Sequence, residues 1–474
     1  MPETAVANDA AIAKAHAWLK DHEQDLLQDT IKMLQIPSLE NDPIPGGPFG
    51  AECKRALEFA LDLTSKYGLK AKNLDGYVGY AEHGSGDKMV ISLGHLDVVP
   101  VADGWKHKPF GAEIDGEYLY ARGATDDKGP TMASFYAIRA IKECFPNLNV
   151  TLRQVFGINE ESGFGCVEHY VANEPAPTYG IAPDGNMPLV YGEKSIGDLL
   201  IHAPLVSEGG FELLNAEGGA RPNIVIETMV GKVRIAGSAR TLAEEVLNTY
   251  FDKNVTWKWE GDVLNITATG KAAHGSTPWV GDSAATRFFR LLFEIAPLEA
   301  KKPLEKLLYV THPSGTGVGI QGGEEATGDL TANLGIVQTV GNKLSLLVNV
   351  RYPTSWNGEK LLGMAKKKLE PEYTVTLERD SPGLYFPLDH PMVKSIFDAY
   401  LDERQPLPEP TTMGGGTYAR AVPNCVCVGA AWEEDGDGKP HENDERIKVA
   451  NLFALSRFYA GILLRLCRLA GADV

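Results

Sequence analysis

The sequence has few of the features that mark secreted, nucleic-acid-binding or disulfide-rich proteins. It contains only six cysteines among 474 residues, and no two of them have CxxC spacing. Neither a disulfide framework nor a thiolate zinc site is therefore indicated. Basic residues are also in deficit, since 45 Lys and Arg stand against 63 Asp and Glu and give a net charge of −18. Because such a surface repels phosphate backbones, we expect no nucleic-acid partner.

Long apolar stretches are missing as well. No run reaches the roughly 18 to 20 apolar residues that a membrane-spanning helix needs. The N-terminal segment MPETAVANDAAIAKAHAWL carries acidic side chains early and lacks the long apolar core of a secretion signal. We therefore expect no membrane partner, and the sparse, scattered cysteines favour the reducing cytoplasm.

The bulk composition indicates an ordinary globular protein. An apolar fraction of 43% and a charged fraction of 23% argue against extended disorder. A single hydrophobic core seldom serves 474 residues, so the length predicts two domains.

The first part of the chain alternates predicted helices with predicted strands. Apolar residues recur at helical spacing over 9–34, and further helices are predicted around Arg55–Tyr67 and over 130–145. The apolar runs MVISL (89–93) and NVTLRQVFGI (149–158) predict buried strands. This alternation indicates an α/β fold with a mixed, mainly parallel sheet flanked by helices, whose carboxyl strand ends form the ligand crevice.

The pattern changes after about residue 192. Residues 193–383 alternate strands with amphipathic helices and predict a separate α+β domain, for which two similar halves are left open. From about residue 384 a glycine-rich sequence returns, and a closing helix is predicted over 445–469. We therefore predict one domain formed by 1–192 and 384–474, with the second domain inserted into it.

Five short clusters concentrate His, Asp and Glu, four of them where a predicted strand ends. They are GHLDVVP with His95 and Asp97, GATDDKG with Asp126, NEES with Glu160 and Glu161, PDG with Asp184, and the distant PHEN with His441. Any one cluster is also typical of a capped turn, because Asp and Asn bond to nearby backbone. Together they supply two imidazoles and several carboxylates, whose repulsion divalent cations would relieve. The mixed nitrogen and oxygen set suits zinc.

In this order, and over nearly the whole chain, the five motifs resemble those of the M20 family of zinc peptidases. The resemblance implies that His95 and Asp184 hold one zinc ion. Glu161 and His441 would hold a second ion, and Asp126 would bridge the two. Manganese or cobalt could also be competent at such a site.

The same resemblance implies roles for two further acids. Asp97 would accept a hydrogen bond from the second ring nitrogen of His95 and so fix its tautomer. Glu160 would be the general base, taking a proton from a metal-bridged water and passing it to the leaving amine. The family often has a cis peptide bond after its bridging Asp, here Asp126.

The inserted domain would act as a lid that contacts the substrate. A single His is usually a surface or packing residue, but His274 in AHGSTP matches a lid motif that donates to the oxyanion. Asn223 in RPNI and Arg351 in VRYP match substrate-contacting lid positions, although a structural Arg at a strand end is the alternative for Arg351. The loop GGGTYAR matches a substrate-side loop through Gly415, Gly416 and Thr417.

The length of the inserted segment, about 190 residues, resembles that of bacterial monomeric dipeptidases. The resemblance implies a monomeric enzyme that takes small peptides, namely dipeptides with a free N-terminus. The alternative within the family is a deacylase of N-acyl or N-succinyl amino acids, whose metal site would be identical. A non-catalytic binding protein would show degenerate ligands or no base, whereas Glu160 and all five ligand candidates are present.

Overall fold

The computed structural model describes residues 9–474. The predicted absence of a secretion signal concerns in part residues 1–8, which lie outside the described residues. The described residues form these α-helices: α1 Ala10–Asp21, α2 Glu23–Leu34, α3 Ala51–Lys66, α4 Lys128–Cys144, α5 Gly165–Asn173, α6 Ser238–Leu247, α7 Ala284–Ile295, α8 Leu298–Val310, α9 Gly358–Leu369, α10 Pro391–Glu403 and α11 Val449–Leu469.

The β-strands of the described residues, in chain order, are β1 Lys70–Leu74, β2 Val78–His83, β3 Met89–His95, β4 Glu113–Asp115, β5 Tyr118–Tyr120, β6 Thr151–Gly157, β7 Tyr179–Gly185, β8 Leu189–Glu193, β9 Ser195–Pro204, β10 Ser207–Glu208, β11 Phe211–Gly218, β12 Thr228–Ile235, β13 Val255–Glu260, β14 Val263–Thr269, β15 Gly323–Glu324, β16 Gly328–Asp329, β17 Thr331–Val340, β18 Lys343–Tyr352, β19 Thr374–Ser381, β20 Leu384–Tyr385, β21 Thr411–Met413, β22 Cys425–Gly429 and β23 Arg446–Lys448. Short 3-10 helices include Pro278–Val280, Tyr418–Arg420 and Glu433–Asp435.

The described chain divides into two compact units. Unit 1 comprises the residues up to Tyr191 together with Leu384–Thr411 and Gly416–Val474. Unit 2 comprises Gly192–Gly383 and Thr412–Gly415. In sequence, unit 2 therefore interrupts unit 1.

Unit 1 is built on a mixed sheet with the strand order β1-β2-β6-β3-β7-β22-β8-β20. The neighbours β6, β3, β7 and β22 run parallel at its centre. The pairs β1–β2, β2–β6 and β22–β8 are antiparallel. Because the carboxyl ends of parallel strands meet at one edge, the residues that follow β3, β6 and β7 lie close together. The predicted α/β class, with a mixed sheet that is parallel at its centre, is confirmed.

The strand and helix that position the site have simple sequence causes. All seven residues of β3 are buried, which explains why its sequence is a continuous apolar run instead of an alternating one. Helix α4 begins with Pro130 in its first turn, and it packs against β3 on one side and α11 on another. The predicted strand at 89–93 and the predicted helix at 130–145 are confirmed.

Helix α11 is, among residues 9–474, the one helix long and apolar enough to cross a membrane. Its apolar 18-residue window is 78% buried inside the protein. Core helices of soluble proteins have the same length and composition, and the packing of α11 against α4, α1 and α10 accounts for its apolar sequence.

The continuous helix predicted over 9–34 is wrong at His22, where α1 ends and α2 begins. The His22 ring stacks on Trp18 with the ring centroids 3.7 Å apart. The backbone N–H of His22 donates to the carbonyl of Leu19 at 3.0 Å, a tightened last turn that closes α1. The chain then starts a second helix, α2, at Glu23.

The helix predicted over 445–469 has a later start, at Val449. Residues Arg446–Lys448 instead form β23, which pairs antiparallel with β5. A partner strand more than 300 residues away thus overrides the local helical pattern. Helices α5, α8 and α10 are not predicted from the sequence.

Unit 2 is built on an antiparallel sheet with the order β13-β14-β12-β11-β17-β18-β9-β19. Exposed and buried residues alternate along β12, as expected of a sheet with one solvated face. The apolar faces of helices α6–α9 share a core with this sheet. The predicted α+β character is confirmed, and the two similar halves stay a prediction.

Candidate metal centre

His95 is the last residue of β3, and its imidazole faces a group of carboxylates. Its Nε2 lies 3.0 Å from Asp126 Oδ1 and 4.0 Å from Asp184 Oδ2. Its Nδ1 lies 3.0 Å from the backbone carbonyl oxygen of Asp97 and 3.5 Å from the carboxylate Oδ1 of that residue. The nearer acceptor is therefore the backbone carbonyl of Asp97, not the carboxylate that the sequence analysis names. Either acceptor places the ring hydrogen on Nδ1 and leaves Nε2 as the ligand atom.

His441 reaches the same cluster from a distant part of the chain. Its Nε2 lies 3.0 Å from Asp126 Oδ2 and 3.1 Å from Glu161 Oε2. The two oxygens of Asp126 therefore face two different imidazoles, one on each side. That arrangement is the one expected of a carboxylate that bridges two cations.

Glu160 and Glu161 lie in a turn just beyond β6, where the sequence analysis expects them. Their backbone N–H groups donate to Asp97 Oδ2 at 2.8 and 3.1 Å, so one carboxylate oxygen fixes both residues. Potential ligand atoms of Glu160 lie within 4.8 Å of those of His95 and Asp184. Glu161 belongs to a second such group, which contains His95 and Asp126.

Burial and crowding perturb the titration of these groups. Burial raises the pKa of Glu160 well above its usual range, and the charge of Asp184 adds to the shift. Burial likewise raises the pKa of Asp184, and the charge of Asp126 adds to it. Burial would also raise the pKa of Asp126, but hydrogen bonds from the two imidazoles lower it below its usual range. The hydrogen bonds of His441 to carboxylates, first that of Asp126, raise its pKa to about 10. The cluster thus holds more acids than its imidazoles can neutralise.

The donor set fits divalent metal ions. Glu161 Oε1 is buried and has no hydrogen-bond partner among the described residues. Two imidazole nitrogens and several carboxylate oxygens form the mixed set that zinc prefers. Bound cations would also neutralise the surplus of carboxylates.

Two buried carboxylates that the sequence analysis does not single out support the cluster. Asp127, joined to Asp126 by a cis peptide bond, accepts the N–H of His95 at 3.0 Å and the hydroxyl of Thr131 at 2.9 Å. Glu445 accepts the N–H of Asp126 at 3.1 Å. In the sequence, these two acids are marked only by their proximity to predicted ligands. Asp127 adjoins Asp126, and Glu445 follows His441 by four residues.

Two predicted substrate residues of the inserted segment, Asn223 and His274, lie on neighbouring stretches of backbone in unit 2. The carbonyl of Asn223 accepts the N–H of Gly275 at 2.7 Å. His274 Nδ1 lies 2.7 Å from Ser276 Oγ and accepts the Ser276 N–H at 3.3 Å. A neutral ring that accepts at Nδ1 carries its hydrogen on Nε2.

Arg351 and the glycine-rich loop extend this group. Arg351 is 4% exposed, and it donates from Nε to Asn349 Oδ1 and from Nη1 to the carbonyl of Gly414, each at 2.9 Å. A Cβ on Gly414 would lie 2.9 Å from the Cβ of Ser276, so these two segments of the chain are in close contact. Three predicted positions follow in the loop: Gly415 in unit 2, and Gly416 and Thr417 in unit 1.

Comparisons with known proteins find a family and relatives that match most of the chain. The sequence profile of the family described as "Peptidase family M20/M25/M40" matches residues 91–465. "Putative dipeptidase YtjP" of Bacillus subtilis (strain 168) is 32% identical over 460 residues, which cover 94% of this chain and 98% of the relative.

Two solved structures share the fold. Human carnosine dipeptidase 1 matches with a TM-score of 0.56 and 16% identity over 97% of this chain and 99% of its own. Aminoacylhistidine dipeptidase from Vibrio alginolyticus matches with a TM-score of 0.58 and 13% identity over 93% of this chain and 96% of its own. At such low identity, the likeness establishes the fold alone.

Proposed function

The chain belongs to peptidase family M20/M25/M40, and from that premise we propose that it is a dinuclear zinc dipeptidase. Membership of this metal-dependent family makes the chain a peptide hydrolase. The restriction to dipeptides with a free N-terminus is our proposal. It is supported by the name of the Bacillus subtilis relative, a putative dipeptidase.

One observation carries the proposal of a dinuclear site. The two carboxylate oxygens of Asp126 face His95 and His441, each at 3.0 Å. Asp184 stands on the His95 side, and Glu161 on the His441 side. We propose these five residues as the ligands of two zinc ions, with manganese or cobalt also accepted.

Two bound divalent cations would lower the pKa of the attacking water and polarise the scissile carbonyl. Glu160 is the proposed general base. Its carboxylate lies close to His95 and Asp184, whereas His441 contacts Asp126 and Glu161 instead. The Glu160 carboxylate would remove a proton from the water and return it to the leaving amine. By accepting both N–H groups of the Glu160 turn, Asp97 holds this base in place.

We propose that residues 193–383 act as a lid domain that contacts the substrate. His274 would donate from Nε2 to the oxyanion, since its Nδ1 accepts the Ser276 N–H. Arg351 would pair with a substrate carboxylate. Its hydrogen bonds to Asn349 and to the carbonyl of Gly414 fix the plane of the guanidinium. The other proposed substrate contacts are Asn223, Gly415, Gly416 and Thr417.

A substrate panel tests the proposed specificity. Unblocked dipeptides, tripeptides, N-acetyl amino acids and N-succinyl amino acids are compared with zinc, manganese or cobalt added. We expect turnover of dipeptides, and loss of that turnover when the N-terminus is acetylated. Faster hydrolysis of N-acyl or N-succinyl amino acids would instead establish the deacylase alternative.

We further propose a monomer located in the cytoplasm. The length of the interrupting segment supports the monomer, and the sparse, scattered cysteines support the cytoplasm. Light scattering of the zinc-loaded protein should give a mass near 51.3 kDa, and a mass of twice that value would contradict the monomer.

A further inference from the structure

Glu445 is a fully buried carboxylate that lies against the backbone of a proposed metal ligand. Its Oε1 accepts the N–H groups of Thr125 and Asp126 at 2.9 and 3.1 Å. Its Oε2 accepts from Arg122 Nη1 at 2.7 Å and from the N–H of Gly123 at 3.1 Å. Its side chain has no exposed surface, and Arg122 is 1% exposed. Both oxygens are therefore occupied by the segment that ends at Asp126.

Glu445 also closes a ring of contacts around the proposed centre. It follows His441 by four residues, and His441 Nε2 lies 3.0 Å from Asp126 Oδ2. The ring runs from the Asp126 carboxylate through His441 and along the chain to Glu445, and then back to the Asp126 N–H. A shift of Glu445 would therefore change the spacing between two ligands of different chain segments.

His441 has little packing of its own to fix its position. Its side chain is 57% exposed, and its backbone has a φ of 63°, which is unfavourable for a residue with a Cβ. The segment is fixed just downstream instead. Asn443 donates to the carbonyl of Asp103 at 2.8 Å, and Asp444 accepts the N–H groups of Lys106 and His107 at 2.9 and 3.1 Å. Asn443, Asp444 and Glu445 thus all bond to other segments, and Glu445 is the buried one of the three.

We propose that Glu445 is a positioning residue that sets the spacing of Asp126 and His441 for two divalent cations. This proposal rests on the proposed dinuclear site. A glutamine at this position could accept with one oxygen only, and its amide N–H groups would face other donors. The Asp126 segment would then lose hydrogen bonds, and Arg122 would lose its buried counter-charge.

The expected effect of Glu445→Gln is weaker metal binding. Groups that orient metal ligands typically account for about 10- to 100-fold in affinity, and we expect a loss of that size. The ion that depends on His441 and Glu161 should be weakened more than the ion beside His95 and Asp184. Zinc titration of the metal-free protein by calorimetry, with a competing chelator, measures both binding steps.

Glu324 in unit 2 offers a matched control. Its carboxylate accepts the N–H and the hydroxyl of Thr354, both at 2.8 Å, the N–H of Ser355 at 3.1 Å, and the hydroxyl of Thr327 at 2.5 Å. We therefore expect Glu324→Gln, like Glu445→Gln, to lower the unfolding temperature of the metal-free protein, but to leave both zinc affinities at the wild-type values. A fall in zinc affinity in both variants would mean that general loosening, not positioning, is responsible.

Three outcomes separate this proposal from the proposed function. Wild-type protein that binds fewer than two zinc ions contradicts the dinuclear site itself. Wild-type protein that binds two ions, together with Glu445→Gln that binds them equally well, overturns only the positioning role. If the glutamine variant does not fold, Glu445→Asp is titrated instead, because it keeps the charge for Arg122 but is one methylene too short to reach both N–H groups of Thr125 and Asp126. Unchanged affinity in that variant would also overturn the role.

Discussion

Glu160 and Glu161 are adjacent in the chain but have different surroundings. Glu161 faces His441 at 3.1 Å and groups with Asp126, whereas Glu160 groups with Asp184. On a regular strand, two successive side chains point to opposite faces of the sheet. The turn beyond β6, fixed by Asp97, allows both carboxylates to face one cluster. This geometry permits one residue to bind metal and its neighbour to transfer protons.

The first prediction separates these two roles. Glu160→Gln keeps the size of the side chain but removes the base. We expect kcat to fall by about two to four orders of magnitude, the usual contribution of a general base. The zinc content should stay at two ions per chain, because Glu161 is the proposed ligand. Steady-state kinetics and atomic absorption test both parts, and loss of zinc would show that the roles are assigned in the wrong order.

The second prediction concerns His274 and has an internal control. His274→Ala should lower kcat by about 10²- to 10³-fold, the usual cost of removing one donor to an oxyanion, with no loss of zinc. His312 lies in a turn of the same form, with Nδ1 2.8 Å from Ser314 Oγ and accepting the Ser314 N–H at 3.3 Å. His312→Ala should leave kcat unchanged. An equal loss in both variants would argue against a specific role for His274.

At the scale of elements, the site depends on how closely β3 approaches α4. Gly94 precedes His95, and a Cβ at Gly94 would lie 1.9 Å from Thr131 Oγ1 and 2.8 Å from Asp127 Oδ2. These two oxygens already form a hydrogen bond of 2.9 Å with each other, so neither can move away freely. The glycine therefore lets the first turn of α4 contact the end of β3. That contact sets the distance between His95 and Asp126.

The third prediction follows from this contact. Gly94→Ala should lower the free energy of unfolding by about 1–3 kcal/mol, as overpacking of a core usually does. Gly363→Ala is the control, since a Cβ at Gly363 in α9 would meet no atom within 4 Å. It should stabilise by about 0.5–1 kcal/mol, because alanine favours the helix. Urea unfolding of the metal-free proteins gives both values, and an alanine tolerated equally at both positions would contradict the close approach.

The sequence predicts elements whose cause is local and fails where the cause is a distant partner. The buried run of β3 and the amphipathic helix α4 are evident because composition and periodicity determine them. The break at His22 is an exception: its contact with Trp18 is local, but the apolar residues on both sides keep helical spacing, so the sequence does not reveal it. Strand β23 is not evident either, because it requires pairing with β5.

At the scale of the whole molecule, the candidate site joins segments from nearly the full length of the chain. Parallel strand order explains why the segments after β3, β6 and β7 meet. The motifs also indicate His441, but the structure is needed to place its Nε2 beside Asp126 Oδ2. Neither the acceptor for His95 Nδ1 nor the partners of Glu445 can be read from spacing, because each depends on backbone atoms.

The fourth prediction concerns metal removal. A ligand that binds only the folded state stabilises it, by about 2.7 kcal/mol at a concentration of 100 Kd. Without cations, the buried carboxylates also repel one another. We therefore expect chelation to lower the unfolding temperature, and added zinc to restore it. Calorimetric scans of chelated and reloaded protein measure the effect, and identical transitions would contradict a site that binds metal in the native state.

The most direct test of the dinuclear centre is anomalous diffraction from crystals of the zinc-loaded protein, measured on both sides of the zinc absorption edge. We predict two anomalous peaks on opposite sides of the Asp126 carboxylate, one next to His95 and Asp184 and the other next to Glu161 and His441. A single peak, or peaks that do not contact Asp126, would contradict the dinuclear centre.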